Sequence, residues 1–294
     1  MSQGTMNRRQ MLHTSALVGA GTVAGTLLAG CVQAGPAVKP DLDLAILNFA
    51  LNLEYLEAQF YSWAAFGHGL DAGLLTGTGA QGALTGGAKV PFASMDVQQY
   101  AEEIAMDEVN HVKFLRSALG SNAVAMPSID IGPAFAAAGN AASKGAIQGF
   151  NPYANDLFFL HGAFIFEDVG VTAYAGAAPL VTNPDYLSAA AKIMAVEAYH
   201  ASEVRTLLYA QRNVTVTGML KVSDVVQAIS DLRGSVGGGK DQGILAGGRA
   251  NIVPTDANGL VFARSTTEVL AIVSLGSAGN KGGFFPNGLN GDIK

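Results

Sequence analysis

Glu108-Val109-Asn110-His111 recurs as Glu197-Ala198-Tyr199-His200, which places one Glu-x-x-His spacing on each of two separate helical stretches. Residues three apart share a helix face. One carboxylate and one imidazole therefore project the same way, about one turn apart, as two ligands of one divalent ion must. Two further apolar stretches, around Leu47 to Trp63 and Leu157 to Tyr174, each carry a glutamate, Glu54 and Glu167. Together they supply four carboxylates and two histidines.

Charge decides how this set should be read. Four ionised glutamates converging in a helix-bundle core would repel one another and bear a large desolvation cost. Two divalent ions with neutral imidazoles cancel that charge, so Glu54, Glu108, His111, Glu167, Glu197 and His200 are expected to form a dinuclear metal site. For a single Glu-x-x-His the plain alternative is a solvated helix face. Against it, Ile104, Ala105, Val112 and Leu115 flank the first motif, and Ile193, Met194, Val204 and Leu207 the second, at the spacing of a buried stripe.

A weak internal repeat accompanies the motifs. Glu54 is followed seven residues on by Tyr61, and Glu167 by Tyr174; each such helix precedes one carrying Glu-x-x-His. Two helical hairpins related by an approximate two-fold axis are expected. The tyrosines read either as ordinary core packing or as hydroxyls bonded to ligand carboxylates, and Asp107 is a further supporting candidate. Glu57, three residues after Glu54, could face the same cavity and is the alternative first-helix ligand, a partly exposed rim carboxylate being the plain reading. Asp168 competes poorly with Glu167, because its side chain points about 100° further round the helix.

The bulk composition sets outer limits. With 294 residues, 49% hydrophobic and 14% charged, the chain can bury a sizeable core. A formal charge of -6 leaves no basic footprint, which argues against a nucleic-acid partner. At the N-terminus, Asn7-Arg8-Arg9-Gln10-Met11-Leu12 resembles a twin-arginine export motif, and the apolar run from Ala16 to Gly30 is too short and too weakly hydrophobic for a membrane span. It ends in Leu28-Ala29-Gly30-Cys31, which resembles a lipobox with the only cysteine of the chain at the lipidated position; a buried structural cysteine is the alternative. Residues 1–31 thus read as a signal and 32–39 as a tether. The expectation is an exported protein of the periplasm or cell envelope, held at a membrane by lipid on Cys31, with no intrachain disulfide.

Along the mature chain, the patterns give an all-α fold: a four-helix bundle over 40–215 and a C-terminal extension over 216–294. The acidic residues Asp41 and Asp43 are capping candidates for a first helix reaching Phe66. A Gly-rich insertion from Gly67 to Pro91 should be ordered only by contacts with the body. Ser94 opens a second helix that stops near Gly120. Residues 121–149 read as irregular, with short helical turns around Phe135 and Ala142. A third helix is expected from Tyr153 to Ala177, and a fourth from the Asn183-Pro184 cap to Arg212. Beyond them come a segment from Ser223 to Arg233 and a capping box, Ser265-Thr266-Thr267-Glu268. An extended strap over Gly282 to Gly291 is expected to pack through Phe284 and Phe285.

One Glu from each of two helices with Glu-x-x-His from each of two others is the constellation that describes ferritin-like di-iron and di-manganese carboxylate proteins. Leu47 to Glu54 and Asp107-Glu108-x-x-His111 resemble the ferroxidase helices of bacterioferritin. Over nearly the whole mature chain the sequence resembles the ferritin-like family of desiccation-related proteins, through Leu51 to Tyr61, Glu167 to Tyr174, Phe262 to Leu270 and Gly283 to Gly291. The resemblance implies a ferritin-like bundle and a link with water or oxidative stress. The insertion and the strap could obstruct packing into a ferritin cage, which argues against mineral storage and leaves homo-oligomer formation open. Three functions are compatible with these features. The first is a catalase-like or ferroxidase-like oxidoreductase whose two Fe or two Mn ions react with peroxide or dioxygen. The others are a non-catalytic metal-binding or iron-handling module and a structural stress-protective protein. The residues do not choose between iron and manganese.

Overall fold

The computed structural model describes residues 41–294; Arg8, Arg9, Cys31 and residues 32–39, expected to be a tether, lie outside the described residues. Helix α1 (Asp43–Phe66) is followed by the insertion, which pairs strand β1 (Leu84–Gly86) in parallel with β2 (Ile129–Ile131) from beyond α2 (Met95–Leu119). Then come α3 (Pro133–Ala142), α4 (Asp156–Ala177), α5 (Pro184–Ala210), α6 (Val222–Val236) and α7 (Thr266–Val273). Two short antiparallel pairs, Thr215–Thr217 with Leu220–Lys221 and Leu245–Ala246 with Arg249–Ala250, follow α5 and α6 respectively. Helices α1 and α2 form one hairpin and α4 and α5 the other; α1 and α4 meet at the centre of the bundle. By length and composition α4 could cross a membrane, yet 83% of its apolar window is buried inside the protein. It is the core helix, apolar all round because it is covered all round.

The helix ends follow local chemistry, with instructive differences from expectation. Ser94, Asn183 and Ser265 cap α2, α5 and α7 with their side chains, and Glu268 completes the box at Ser265. The third bundle helix starts at Asp156, later than Tyr153, because Asn155 accepts from Phe158 N at 2.9 Å. Tyr153 stays in the preceding turn, where its hydroxyl donates to Ile131 O at 3.0 Å. Asp43 does not cap its own helix. Its carboxylate accepts from Thr182 N (2.7 Å), Thr182 Oγ1 (3.0 Å) and Asn183 N (2.8 Å), tying the start of α1 to the start of α5. In place of separate turns around Phe135 and Ala142 there is one helix, α3, entered through Pro133 and packed inward by Phe135.

The C-terminal extension and the bundle belong to one compact unit. Phe284 of the strap lies edge-on to Phe135 and Phe166, at centroid distances of 5.1 and 4.8 Å. Asn52 of α1 and Asn290 bond each other twice through backbone and side chain, at 2.9 and 3.2 Å. A buried ion network adds to this. Asp168 of α4 accepts from Arg205 (2.8 Å) and Arg233 (2.9 Å), and Asp241 accepts from Arg233 and Arg264 (both 2.8 Å). The Arg264 segment comes this close because residue 176 is glycine: a Cβ there would stand 1.8 Å from Arg264 O.

Candidate metal centre

Each bundle helix delivers its part of the cluster to one level of the core. Helix α1 brings Glu54, Glu57 and Tyr61; α2 brings Glu108 and His111; α4 brings Glu167 and Tyr174; α5 brings Glu197 and His200. All of these side chains are buried. Ligand atoms of Glu54, Glu108, His111 and Glu197 all lie within 4.8 Å of one another, and so do those of Glu108, Glu167 and His200. The six residues expected from sequence therefore converge, in two groups that share Glu108. His111 Nδ1 stands 3.2 Å from Glu54 Oε2 and 3.3 Å from Glu108 Oε2. His200 Nδ1 stands 3.2 Å from Glu108 Oε1 and 3.6 Å from Glu167 Oε2.

The supporting residues are ordered crosswise. Tyr61 donates to Glu167 Oε1, and Tyr174 donates to Glu54 Oε1, so each hairpin's tyrosine holds the other hairpin's glutamate. This reciprocity is the approximate two-fold axis expressed in side chains. Asp107 Oδ2 accepts from His200 Nε2 at 3.2 Å, which turns Nδ1 of that ring inward. Asp168, committed to arginines, takes no part in either group.

The symmetry fails at two places. Three residues after Glu54 stands Glu57; three after Glu167 stands Gly170. A Cβ on residue 170 would lie 2.3 Å from Glu197 Oε2 and 3.6 Å from Glu57 Oε1, so the missing side chain is the room these carboxylates occupy. Glu57 borders the cluster without belonging to either donor group. One residue before Glu108 stands Asp107, whereas one before Glu197 stands Val196. The two halves thus offer unequal surroundings. The role of Gly170 escaped the sequence reading; its trace was a glycine one turn after Glu167 in a helix with no break.

Electrostatics show what this cluster needs. Burial raises the carboxylates: Glu54 is pushed up to about 7 by burial and by Glu108, and Glu57 and Glu197 rise well above the ordinary range for the same kind of reason. Glu108 goes the other way, since His111 and His200 outweigh its burial. Burial would lower both imidazoles, but Glu108 and Glu54 raise His111 to about 10, and Glu167 and Glu108 raise His200 to about 12. With protons as the only counter-charge, burial and mutual repulsion drive Glu57 and Glu197 toward their protonated forms. Glu108 Oε1, Glu167 Oε2, both carboxylate oxygens of Glu197 and His200 Nδ1 are buried without a hydrogen-bond partner. Buried lone pairs of this kind are costly unless something positive faces them. Carboxylate and imidazole donors on four helices, with one carboxylate common to both groups, fit a pair of divalent cations.

A model of the ferritin-like domain matches residues 42–210, a span that contains all four bundle helices and all six donors. The chain belongs to the ferritin-like domain family. Within the family it is 32% identical to the desiccation-related protein PCC13-62 of Craterostigma plantagineum over 244 residues, covering 79% of this chain and 77% of that one. It is 28% identical to the ferritin-like catalase Nec2 of Nesocodon mauritianus over 273 residues, covering 86% and 85%. No solved structure shows a significant match to the chain. The two alignments cover 79% and 86% of the chain, more than residues 42–210 alone, so the similarity includes residues outside the matched domain.

Proposed function

We propose that this ferritin-like protein is exported and uses two Fe or two Mn ions, held by Glu54, Glu108, His111, Glu167, Glu197 and His200, to react with peroxide or dioxygen in protection against oxidative or desiccation stress. The convergence of two donor groups on a shared Glu108 carries this reading. The relatives named as a desiccation-related protein and as a ferritin-like catalase support it. When bound, such ions supply exchangeable valence and open positions for an oxygen species.

The chain's own residues do the rest. His111 and His200 anchor one half each. Asp107 orients His200, while Tyr61 and Tyr174 fix the orientation of Glu167 and Glu54. Burial keeps both phenol groups protonated, well above their ordinary range, so each remains a donor to its glutamate. The apolar walls of α1 and α4 exclude water from the cluster. Export would follow the Arg8-Arg9 leader, with lipid on Cys31 anchoring the protein at the cell envelope. Replacing Cys31 by Ala should then release the protein from membranes.

The deciding experiment is metal analysis of protein from its native envelope, followed by peroxide and dioxygen consumption measured with an oxygen electrode. Wild type should react, and Glu108→Ala and His111→Ala should not, with helical circular dichroism unchanged. Fully loaded wild type that reacts with neither oxidant, yet melts much earlier after chelation, would establish the structural role in its place.

A further inference from the structure

One side of the bundle carries a crevice that the cluster's chemistry does not account for. It contains a cavity of ≈ 40 Å³ bounded by all four bundle helices, with Leu53, Leu115, Tyr174, Ala190 and Ile193 among its walls. Phe114, 46% exposed, stands at its mouth. Every lining side chain is apolar except two tyrosines. The crevice adjoins the cluster through residues that flank it. Leu53 precedes Glu54, Leu115 and Ile193 lie one helical turn from His111 and Glu197, and the Tyr174 hydroxyl beyond the wall donates to Glu54.

The lining selects what can dwell there. Peroxide or water would surrender hydrogen bonds on entering, at about 1–3 kcal/mol for each group left unpaired. A small apolar molecule loses nothing, and apolar cavities of this kind take up xenon or other apolar guests. Asp107, whose side chain is 40% exposed and bonds His200, is absent from this lining.

We propose that the crevice between Phe114 and Tyr174 is a binding site for dioxygen beside the carboxylate cluster. The proposal rests on the redox reading above but is tested apart from it. Crystals of the protein as purified, held under xenon pressure, should show an anomalous peak between Leu53, Ala190 and Ile193. Ala190→Phe should abolish that peak and raise the KM for dioxygen at least tenfold, with metal content unchanged and the peroxide reaction less affected. Ala50→Leu, a milder filling of the same wall, should do the same in smaller degree and serves if Ala190→Phe does not fold. Xenon absent from the crevice, or filled variants that react with dioxygen at the wild-type KM, would overturn it. If wild type reacts with neither oxidant the redox reading falls, while a xenon peak in the crevice still supports an apolar gas site and its absence still refutes one.

Discussion

His200 faces two ways: its Nε2 lies 3.2 Å from Asp107 Oδ2 and its Nδ1 lies 3.2 Å from Glu108 Oε1. The outer carboxylate fixes the ring so that the inner nitrogen meets the cluster. Such outer partners contribute about 10- to 100-fold to metal affinity. Asp107→Ala should therefore weaken metal retention by that order, read by elemental analysis after dialysis against graded chelator, with Asp107→Asn intermediate. His111 has Val196 at the equivalent sequence position, and Val196→Ala should leave retention unchanged.

The crossed tyrosines predict matched effects. Removing either hydroxyl leaves a buried carboxylate oxygen without its donor, at about 1–3 kcal/mol. Tyr61→Phe and Tyr174→Phe should each lower the melting midpoint by similar amounts in thermal unfolding. A large difference between them would show that the two hairpins are not equivalent in this respect.

Gly170 should tolerate nothing larger. A methyl group 2.3 Å from Glu197 Oε2 forces that carboxylate out of place. Gly170→Ala removes a helix-destabilising glycine, which in open space would stabilise the fold by about 1 kcal/mol. Here it should instead reduce bound metal, as measured by stoichiometry, even where the helical signal is intact.

His161 predicts acid sensitivity. Burial, opposed only in part by hydrogen bonds such as that from Nδ1 to Leu157 O at 2.7 Å, lowers it to about 4 from an ordinary 6.5. The unfolded chain thus binds a proton between those values that the folded chain refuses, so stability falls as pH drops from about 6.5 to about 4. The loss amounts to about 3 kcal/mol across that window. His161→Phe should flatten this part of the stability profile in urea titrations at stepped pH.

Much of this was legible from the chain because it depends on near neighbours. A Glu-x-x-His spacing, a capping box and an Asn-Pro start are all encoded within one helical turn, and the sequence places them correctly. What escaped depends on partners far apart. Asp43 looks like a cap but reaches Thr182, 139 residues away. The β1 and β2 pairing joins three-residue strands, too short for alternation to signal. Asn52 and Asn290 meet across 238 residues, and neither carries a mark of the other. The crossing of Tyr61 to Glu167 follows from how the hairpins face each other, which periodicity alone does not give.

The arginine network has a consequence for how the protein comes into being. Asp168 lies inside the core helix, yet its partners Arg205 and Arg233 follow 37 and 65 residues later, and Asp241 must in turn meet Arg264. A buried carboxylate left without its partner costs about 3–5 kcal/mol. A nascent chain that has emerged only through the fourth bundle helix therefore holds every residue of the carboxylate cluster but half of the counter-charge for Asp168. A chain cut short after the bundle is therefore expected to be less stable than the full chain, because Asp168 would keep Arg205 and lose Arg233.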